Sequence, residues 1–148
     1  MTEIVFIVPG KPRGKSRPRF AHGRAYTPQA THEYERLIAV CAIRAMRHTG
    51  YCRDGAKRLS VRACFPVPAS WPKSRKAEAV TGDRVPETKP DADNILKAVA
   101  DALNGIAYGD DCKVADMTCS KRYQRDRLTE CPHGYLLVRV GDCDGTDY

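Results

Sequence analysis

The sequence predicts an α/β fold: a single domain in which a mixed β-sheet of about four strands packs with two main helices. Its 148 residues suit one domain over 1–148. Hydrophobic residues make up 42% and charged residues 29% of the chain, which is typical of a folded protein with a core. Segments with strand and helix patterns follow in the order β, α, β, α, β, β, and this order favours a mixed sheet.

The chain begins with a short, mostly buried strand over residues 3–8, which ends at Pro9-Gly10. A basic loop over residues 10–28 comes next. It has six Lys or Arg and no acidic residue between Lys11 and Arg24, and its Pro and Gly residues argue against a regular element.

Residues 31–48 have the pattern of a helix. Thr31 is a candidate N-cap, acidic residues occupy the first turns, and Gly50 follows the end. Four apolar side chains are expected to form its buried stripe: Leu37, Val40, Cys41 and Ile43.

The second half of the chain continues the alternation. Alternating apolar residues predict a half-buried strand, which a group of prolines ends. The last two strands are expected to pair as a hairpin, and the carboxyl terminus is expected to be a flexible tail. The predicted elements are a strand at 59–65, a short helix at 73–80, a helix at 93–103, strands at 113–123 and 135–140, and the tail at 141–148.

The net charge of +7 predicts a polyanionic partner, with nucleic acid as the leading candidate. No apolar run reaches the ~20 residues of a membrane helix, so no membrane partner is expected. The start of the chain lacks the features of a signal peptide, which favours a cytoplasmic protein.

Seven cysteines, an odd number with irregular spacing, favour reduced thiols. A zinc site formed by Cys112, Cys119, Cys131 and His133 is the alternative, although structural zinc sites usually have closely paired ligands.

An acidic cluster stands out within this basic chain. On the predicted helix, Asp93, Lys97 and Asp101 fall on the polar face, opposite Leu96, Val99 and Leu103. Asp91 lies just before the helix, and a short return after Gly105 leads to Asp110 and Asp111.

Two structural interpretations compete with a functional one. Asp91 or Asp93 can cap the helix, at about 1 kcal/mol. Alternatively, Asp93, Lys97 and Asp101 can form an ion-pair ladder, in which each pair contributes a few tenths of a kcal/mol. A single cap needs a single aspartate, however, and clustered carboxylates repel one another unless a cation or a proton intervenes.

Carboxylates clustered in this way suit Mg²⁺, which binds hard oxygen ligands and substrate phosphates. Such an ion would activate water for phosphodiester hydrolysis. Lys97, one turn after Asp93, could hold the carboxylates in place or stabilise the charge that develops on phosphate.

With these residues in view, the sequence resembles the RusA family of Holliday-junction resolvases. The matching residues are K-P-D-x-D-N-x-x-K-x-x-x-D-A-L-N-G over 89–105 and D-D-x-x-V over 110–114. The block G-K-P-R-G-K-S-R-P-R-F and the later A-Y-T-P also match the form of the family with a basic amino-terminal loop. The similarity spans about residues 4–140.

The resemblance implies a RusA-like, Mg²⁺-dependent homodimeric endonuclease, with Mn²⁺ as a substitute ion and no small-molecule cofactor. Its DNA partner would be a four-way junction, nicked symmetrically during recombination and repair. The family's metal-binding aspartates fall on Asp91, Asp93 and Asp111, with Asp110 as the alternate, and its essential lysine falls on Lys97. Asp101 matches a family position of unassigned role. A bacterial source, including a phage or prophage gene, agrees with the resemblance.

Three groups of basic residues could contact DNA phosphates. Phe20 and Trp71 could insert at a junction centre, although such side chains more often pack locally. The groups are Lys11, Arg13, Lys15, Arg17 and Arg19 in the loop; Lys73, Arg75 and Lys76; and Lys121, Arg122, Arg125 and Arg127.

The leading hypothesis is thus a structure-selective endodeoxyribonuclease whose catalytic residues are Asp91, Asp93, Lys97 and Asp111. The alternative is a non-catalytic, structure-specific DNA-binding accessory protein with a vestigial acidic site.

Overall fold

The computed structural model describes residues 2–125 and 131–146. These residues form a mixed α/β domain, which confirms the predicted fold class. The described ranges contain the strands β1 (Glu3–Pro9), β2 (Arg19–Ala21), β3 (Arg24–Tyr26), β4 (Lys57–Phe65), β5 (Val114–Tyr123) and β6 (Tyr135–Asp142). The helices in these ranges are α1 (Gln29–Met46), α2 (Lys73–Thr81) and α3 (Ala92–Leu103), and a 3₁₀ turn spans Asp111–Lys113.

The main sheet has the strand order β1-β6-β4-β5. Strand β6 pairs antiparallel with both β1 and β4, whereas β4 and β5 are parallel. The prediction that the last two strands form a hairpin is therefore wrong. The apolar residues Leu136, Val138 and Val140 are completely buried, and this burial favours an interior position for β6 in the sheet.

The core lies between one face of this sheet and helices α1 and α3. Each large apolar side chain buried there stabilises the fold by about 1.5–3 kcal/mol relative to its exposed state. The main contributors are Ile4, Phe6 and Val8 of β1, Leu59 and Val61 of β4, Leu136, Val138 and Val140 of β6, Ile38 of α1, and Ile95, Val99 and Leu103 of α3.

Helix α1 differs from its prediction in two ways. It begins after Pro28, so Thr31 is not the N-cap but a buried residue of the first turn. Its buried stripe also differs from the predicted one: Leu37, Val40 and Ile43 are partly exposed, Cys41 is half-buried, and the buried residues are Thr31, Tyr34, Ile38 and Ala42. Apolar residues occur around much of this helix, so its sequence pattern alone does not determine which face packs.

The basic loop contains a regular element that the sequence analysis did not predict. Strands β2 and β3 pair as a short antiparallel hairpin. The two residues that connect them, His22 and Gly23, have φ angles of +51° and +75°. Positive φ at both positions is typical of the tight turn that matches the twist of a hairpin.

At the carboxyl end, β6 extends to Asp142, so the first two residues of the predicted tail belong to the sheet. The Lys57 ammonium, which is buried, contacts Asp142 Oδ1 at 2.6 Å. Arg127 of the third basic group and the last two residues of the tail lie outside the described residues. No helix in the described part of the chain is long and apolar enough to cross a membrane.

Candidate active site beside helix α3

Packing of helix α3 on the sheet determines which of its residues are accessible. Ile95, Val99 and Leu103 are buried, which leaves the opposite face, with Asp93 and Lys97, exposed to solvent. Asp91 is the N-cap residue, and its backbone carbonyl accepts a hydrogen bond from Ile95 N–H at 3.1 Å. Its carboxylate makes no capping hydrogen bond.

The first structural interpretation agrees with the structure in position only: Asp91 is the N-cap residue and Asp93 lies in the first turn, near the positive end of the helix, but the Asp91 carboxylate makes no capping hydrogen bond. The ion-pair ladder does not form among the described residues. Within residues 2–125 and 131–146, the Asp91, Asp93 and Lys97 side chains have no hydrogen bond or ion pair. Asp101, the last member of the proposed ladder, pairs with Lys15 of the basic loop at 3.1 Å instead. The carboxylates of Asp91 and Asp93 thus remain available to an external cation.

The second acidic stretch lies at the 3₁₀ turn that precedes β5. Asp110 is its N-cap, and its side chain accepts a hydrogen bond from Cys112 N–H. A side-chain hydrogen bond between the neighbouring carboxyl groups lowers the pKa of Asp110 and raises that of Asp111. Two carboxyl groups this close favour retention of one proton, or capture of a cation, between them.

The two acidic stretches lie close enough for the charge of one to affect the pKa of the other. The charge of Asp101 on α3 contributes to the raised pKa of Asp111. Burial raises the pKa of the Cys119 thiol on β5 to about 11, and the charge of Asp93 adds to this effect. The aspartates of α3 therefore lie along the side of β5.

The structure does not assemble the predicted ligands into a preformed metal centre. Asp93 and Asp101 are eight residues apart, about 12 Å along the helix axis, and Asp111 is near Asp101. Among the described residues, no group of three His, Cys, Asp or Glu side chains is arranged to hold a metal ion. The same finding argues against the zinc site considered for the cysteines. The donor set nevertheless fits Mg²⁺, because it consists of accessible carboxylate oxygens that form no ion pair among the described residues.

The basic loop packs directly against helix α3. Lys15 N–H donates to the Asn94 carbonyl at 3.0 Å. A Cβ atom on Gly14 would lie 3.0 Å from Asn94 Cβ and 3.2 Å from Pro90 Cβ, so the close approach of loop and helix favours glycine.

Lys15 joins three segments of the chain. Its ammonium pairs with the carboxylates of Glu35 on α1 and Asp101 on α3. Burial opposes the charged form of Lys15, but these two carboxylates outweigh it and raise its pKa. Lys15 is among the predicted DNA-binding residues, and no local signal indicates its pairing with Glu35 because the two residues are far apart in sequence.

The other predicted DNA-binding residues differ in their surroundings. Lys11, Arg13, Arg17 and Arg19 are exposed, as are Lys73 and Arg75, whereas Lys76 is half-buried. Trp71 packs edge-on against Tyr123 at 5.2 Å, with the Arg75 guanidinium 5.2 Å from its ring. Trp71 therefore packs locally, whereas Phe20 on β2 is 81% exposed.

A basic α/β domain that exposes carboxylates at the start of one helix and packs a basic loop against that helix has the features of a nucleic-acid-cleaving protein. The family model described as Endodeoxyribonuclease RusA matches residues 9–130. The uncharacterised protein YqaN of Bacillus subtilis (strain 168) is 33% identical over 133 residues, which cover 86% of this chain and 92% of that protein. The chain belongs to the RusA endodeoxyribonuclease family, a family of nucleases that act on Holliday-junction DNA.

Proposed function

We propose that this protein nicks four-way DNA junctions symmetrically, by Mg²⁺-dependent hydrolysis of phosphodiester bonds, and that it acts as a homodimer. The observation that carries the proposal is the pair of accessible carboxylates of Asp91 and Asp93, which have no partner within residues 2–125 and 131–146, in a basic domain of this family. The facing acidic pair, Asp110 and Asp111, supplies further oxygen donors.

Asp91, Asp93 and Asp111 would hold the ion, with Asp110 as the alternate to Asp111. Bound there, Mg²⁺, or Mn²⁺ in its place, would lower the pKa of a coordinated water and polarise the phosphoryl group. The carboxylates of Asp91, Asp93 and Asp111 would repel one another if they met without a cation. Their oxygens therefore need not come together until an ion binds.

Lys97 has a separate task. It lies on the exposed face of α3, one turn after Asp93, and its ammonium has no carboxylate partner in the described chain. It is therefore available to stabilise negative charge that develops on the attacked phosphate, as a point charge. We include it, with Asp91, Asp93 and Asp111, among the proposed catalytic residues.

Exposed cations would hold the DNA. The exposed cations of the loop can contact phosphates near α3; they are Lys11, Arg13, Arg17 and Arg19. The basic side chains of α2, which are Lys73, Arg75 and Lys76, can contact a second part of the DNA backbone. Lys15 is engaged by two carboxylates, so we assign it to the support of the site instead. Two opposed cuts in one four-way junction are most simply made by two sites related by a two-fold axis, which supports the homodimer.

The test compares a synthetic four-way junction, a linear duplex and a flap, each with and without Mg²⁺. We expect paired nicks in the junction only with Mg²⁺, and binding that weakens steeply as salt concentration rises. The lack of a preformed three-carboxylate group favours one competing function, a non-catalytic junction-binding accessory protein. Salt-sensitive binding without nicking in either Mg²⁺ or Mn²⁺ would establish that competitor.

A further inference from the structure

Strand β1 lies at an edge of the main sheet and has an entirely apolar middle. Among the described residues, it pairs with β6 along one edge and has no strand on the other. Residues 4–8 are all apolar, between Glu3 and Pro9, and the outward side chains of Val5 and Ile7 are 44% and 41% exposed. Natural edge strands usually carry charges, Pro or bulges, because an unprotected edge pairs readily with another chain. The middle of β1 has none of these, so its free edge favours a further strand.

The opposite edge strand, β5, is protected against such pairing. Asp116, Lys121 and Arg122 lie along it, and its register with β4 is irregular near the start. Charges of this kind are typical of a strand that stays at an edge. A continuous apolar run, as in β1, is typical of a strand with neighbours on both sides. Only β1 of the two edges is therefore suited to a partner strand.

Helix α1 carries an exposed stripe whose two ends have opposite charge. Glu33, Leu37, Val40 and Arg44 are spaced by four, three and four residues, so they lie along one side of the helix. Glu33 accepts a long hydrogen bond, of 3.4 Å, from the Gln29 side chain. The order acid, apolar, apolar, base is complementary to a second copy that runs in the opposite direction. Glu33 would then face Arg44 of the partner subunit, and Leu37 would face Val40 of the partner subunit.

The stripe and the free edge of β1 lie on the same side of the domain. A groove of about 260 Å³ between the end of β1 and the start of α1 is lined by Pro9, Glu33 and Leu37. Glu35, which lies on nearly the opposite side of the helix from Glu33, pairs with Lys15, the residue that joins α1 to α3. The stripe therefore faces away from α3 and toward the edge of the sheet.

The spacing of helices and strands allows both surfaces to meet a second copy together. Helix α1 packs on β1, and α3 packs on β4 and β5, so each helix covers about two strands. Two strands span about 9.5 Å, and packed helices lie about 8–10 Å apart. Pairing of β1 with the same strand of a second copy would thus bring the two α1 helices to ordinary packing distance.

We propose that two copies of this chain join by antiparallel pairing of their β1 strands and of their α1 stripes, so that two four-stranded sheets become one continuous sheet. The inference locates the homodimer of the proposed function and rests on it. The two-fold axis would run perpendicular to the sheet, which places α1 and α3 of both copies on one face. The two α3 sites, three helix spacings apart, would be about 24–30 Å from each other and open to the same junction.

A charge swap tests the helix contact, with the dimer dissociation constant of the full chain measured by analytical ultracentrifugation without metal or DNA. Glu33→Arg and Arg44→Glu should each raise that constant about ten-fold, because two pairs per dimer change from attraction to repulsion. The double variant should return to within about two-fold of the wild type, because the pairs form again with exchanged signs. Glu87→Arg makes the same charge change as Glu33→Arg at an exposed position before α3, and it should leave the constant unchanged.

A lysine in the middle of β1 tests the strand contact. Ile7→Lys should make the protein monomeric, because an inward-facing partner strand cannot cover a charged edge. Met117→Lys is the matched control on the protected edge, since Met117 is 40% exposed and Ile7 is 41% exposed. It should remain dimeric. Melting curves of both variants confirm that each is folded when its mass is measured.

Three results would overturn the proposed interface. One is a double charge-swap variant that dimerises as weakly as the single variants. Another is Ile7→Lys with the dissociation constant of the wild type. The third is a dimer that none of these variants weakens, which would assign the interface to another surface, such as the outer face of the sheet.

The interface and the catalytic proposal can fail separately. A wild type that nicks junctions with Mg²⁺ while its dimer is insensitive to these variants contradicts the interface alone. A wild type that follows the predicted pattern of dimerisation but never nicks DNA supports the interface and contradicts only the catalytic proposal. A wild type that is monomeric at every concentration, with and without junction DNA, contradicts both the homodimer and this interface.

Discussion

Replacement of Lys15 by methionine should destabilise the fold, because this lysine links the basic loop to α1 and α3. Exposed ion pairs contribute about 0.2–1 kcal/mol, whereas loss of one partner from a buried pair costs about 3–5 kcal/mol. The side chains of Lys15, Glu35 and Asp101 are 21%, 18% and 32% exposed, between these limits. We therefore expect a loss of about 2 kcal/mol in the free energy of unfolding, which for a chain of this size lowers the melting temperature by about 4–8 °C.

Thermal unfolding followed by circular dichroism measures this difference, with Lys11→Met as the control. Lys11 is an exposed cation of the same loop, and its replacement should change the melting temperature by less than about 1 °C. The pKa of Lys15 is raised in the folded state. Its contribution is therefore fully present below its unfolded pKa of about 10.4 and is lost as pH rises through the folded value. Equal melting temperatures for the two variants at pH 7 would refute this reasoning.

Two further predictions follow from individual side chains. Phe20→Ala should leave the melting temperature within about 1 °C of the wild type, because that ring is 81% exposed; a drop of several degrees would show that the ring packs on the domain. Asp142→Asn should lower the melting temperature at neutral pH, because the hydrogen bond from Lys57 lowers the pKa of Asp142. That stabilisation is present above the unfolded pKa of about 3.9 and is lost as pH falls through the folded value, so melting curves of the two proteins should converge in acid. A difference that grows as the pH falls would contradict this assignment.

Local pattern was enough to predict the helices and the four strands of the main sheet, but not the short β2–β3 hairpin or the order in which the sheet strands pair. The bounds predicted for β4 and α3 differ by two residues or fewer from the observed Lys57–Phe65 and Ala92–Leu103, because alternation and helical period are local signals. The insertion of β6 between β1 and β4 is set by contacts between distant residues. Adjacency in sequence favours a hairpin, but β6 instead pairs along both of its edges, with β1 and with β4, and buries Leu136, Val138 and Val140 on one face.

The candidate site also combines features that local sequence pattern predicts with features that depend on contacts between distant residues. The spacing of Asp93, Lys97 and Asp101 predicted a polar helix face, and the structure exposes Asp93 and Lys97 there. No pattern in the sequence relates Lys15 to Glu35 and Asp101, since their meeting depends on the packing of the loop against two helices. A cavity of about 360 Å³ between the basic loop, α1 and α3 arises from the same packing, and no local pattern in the sequence predicts it.

Cleavage of a four-way junction by wild type and by Asp93→Asn, measured with Mg²⁺ beside a metal-free binding assay, tests the proposed chemistry most directly. The substitution removes one negative oxygen donor and keeps the shape of an exposed side chain that has no partner in the part of the chain that the structure describes. We predict paired nicks by the wild type, no detectable nicking by the variant, and junction binding by the variant at least as tight as that of the wild type. Nicking by Asp93→Asn at the wild-type rate would contradict a carboxylate-bound metal at this end of α3.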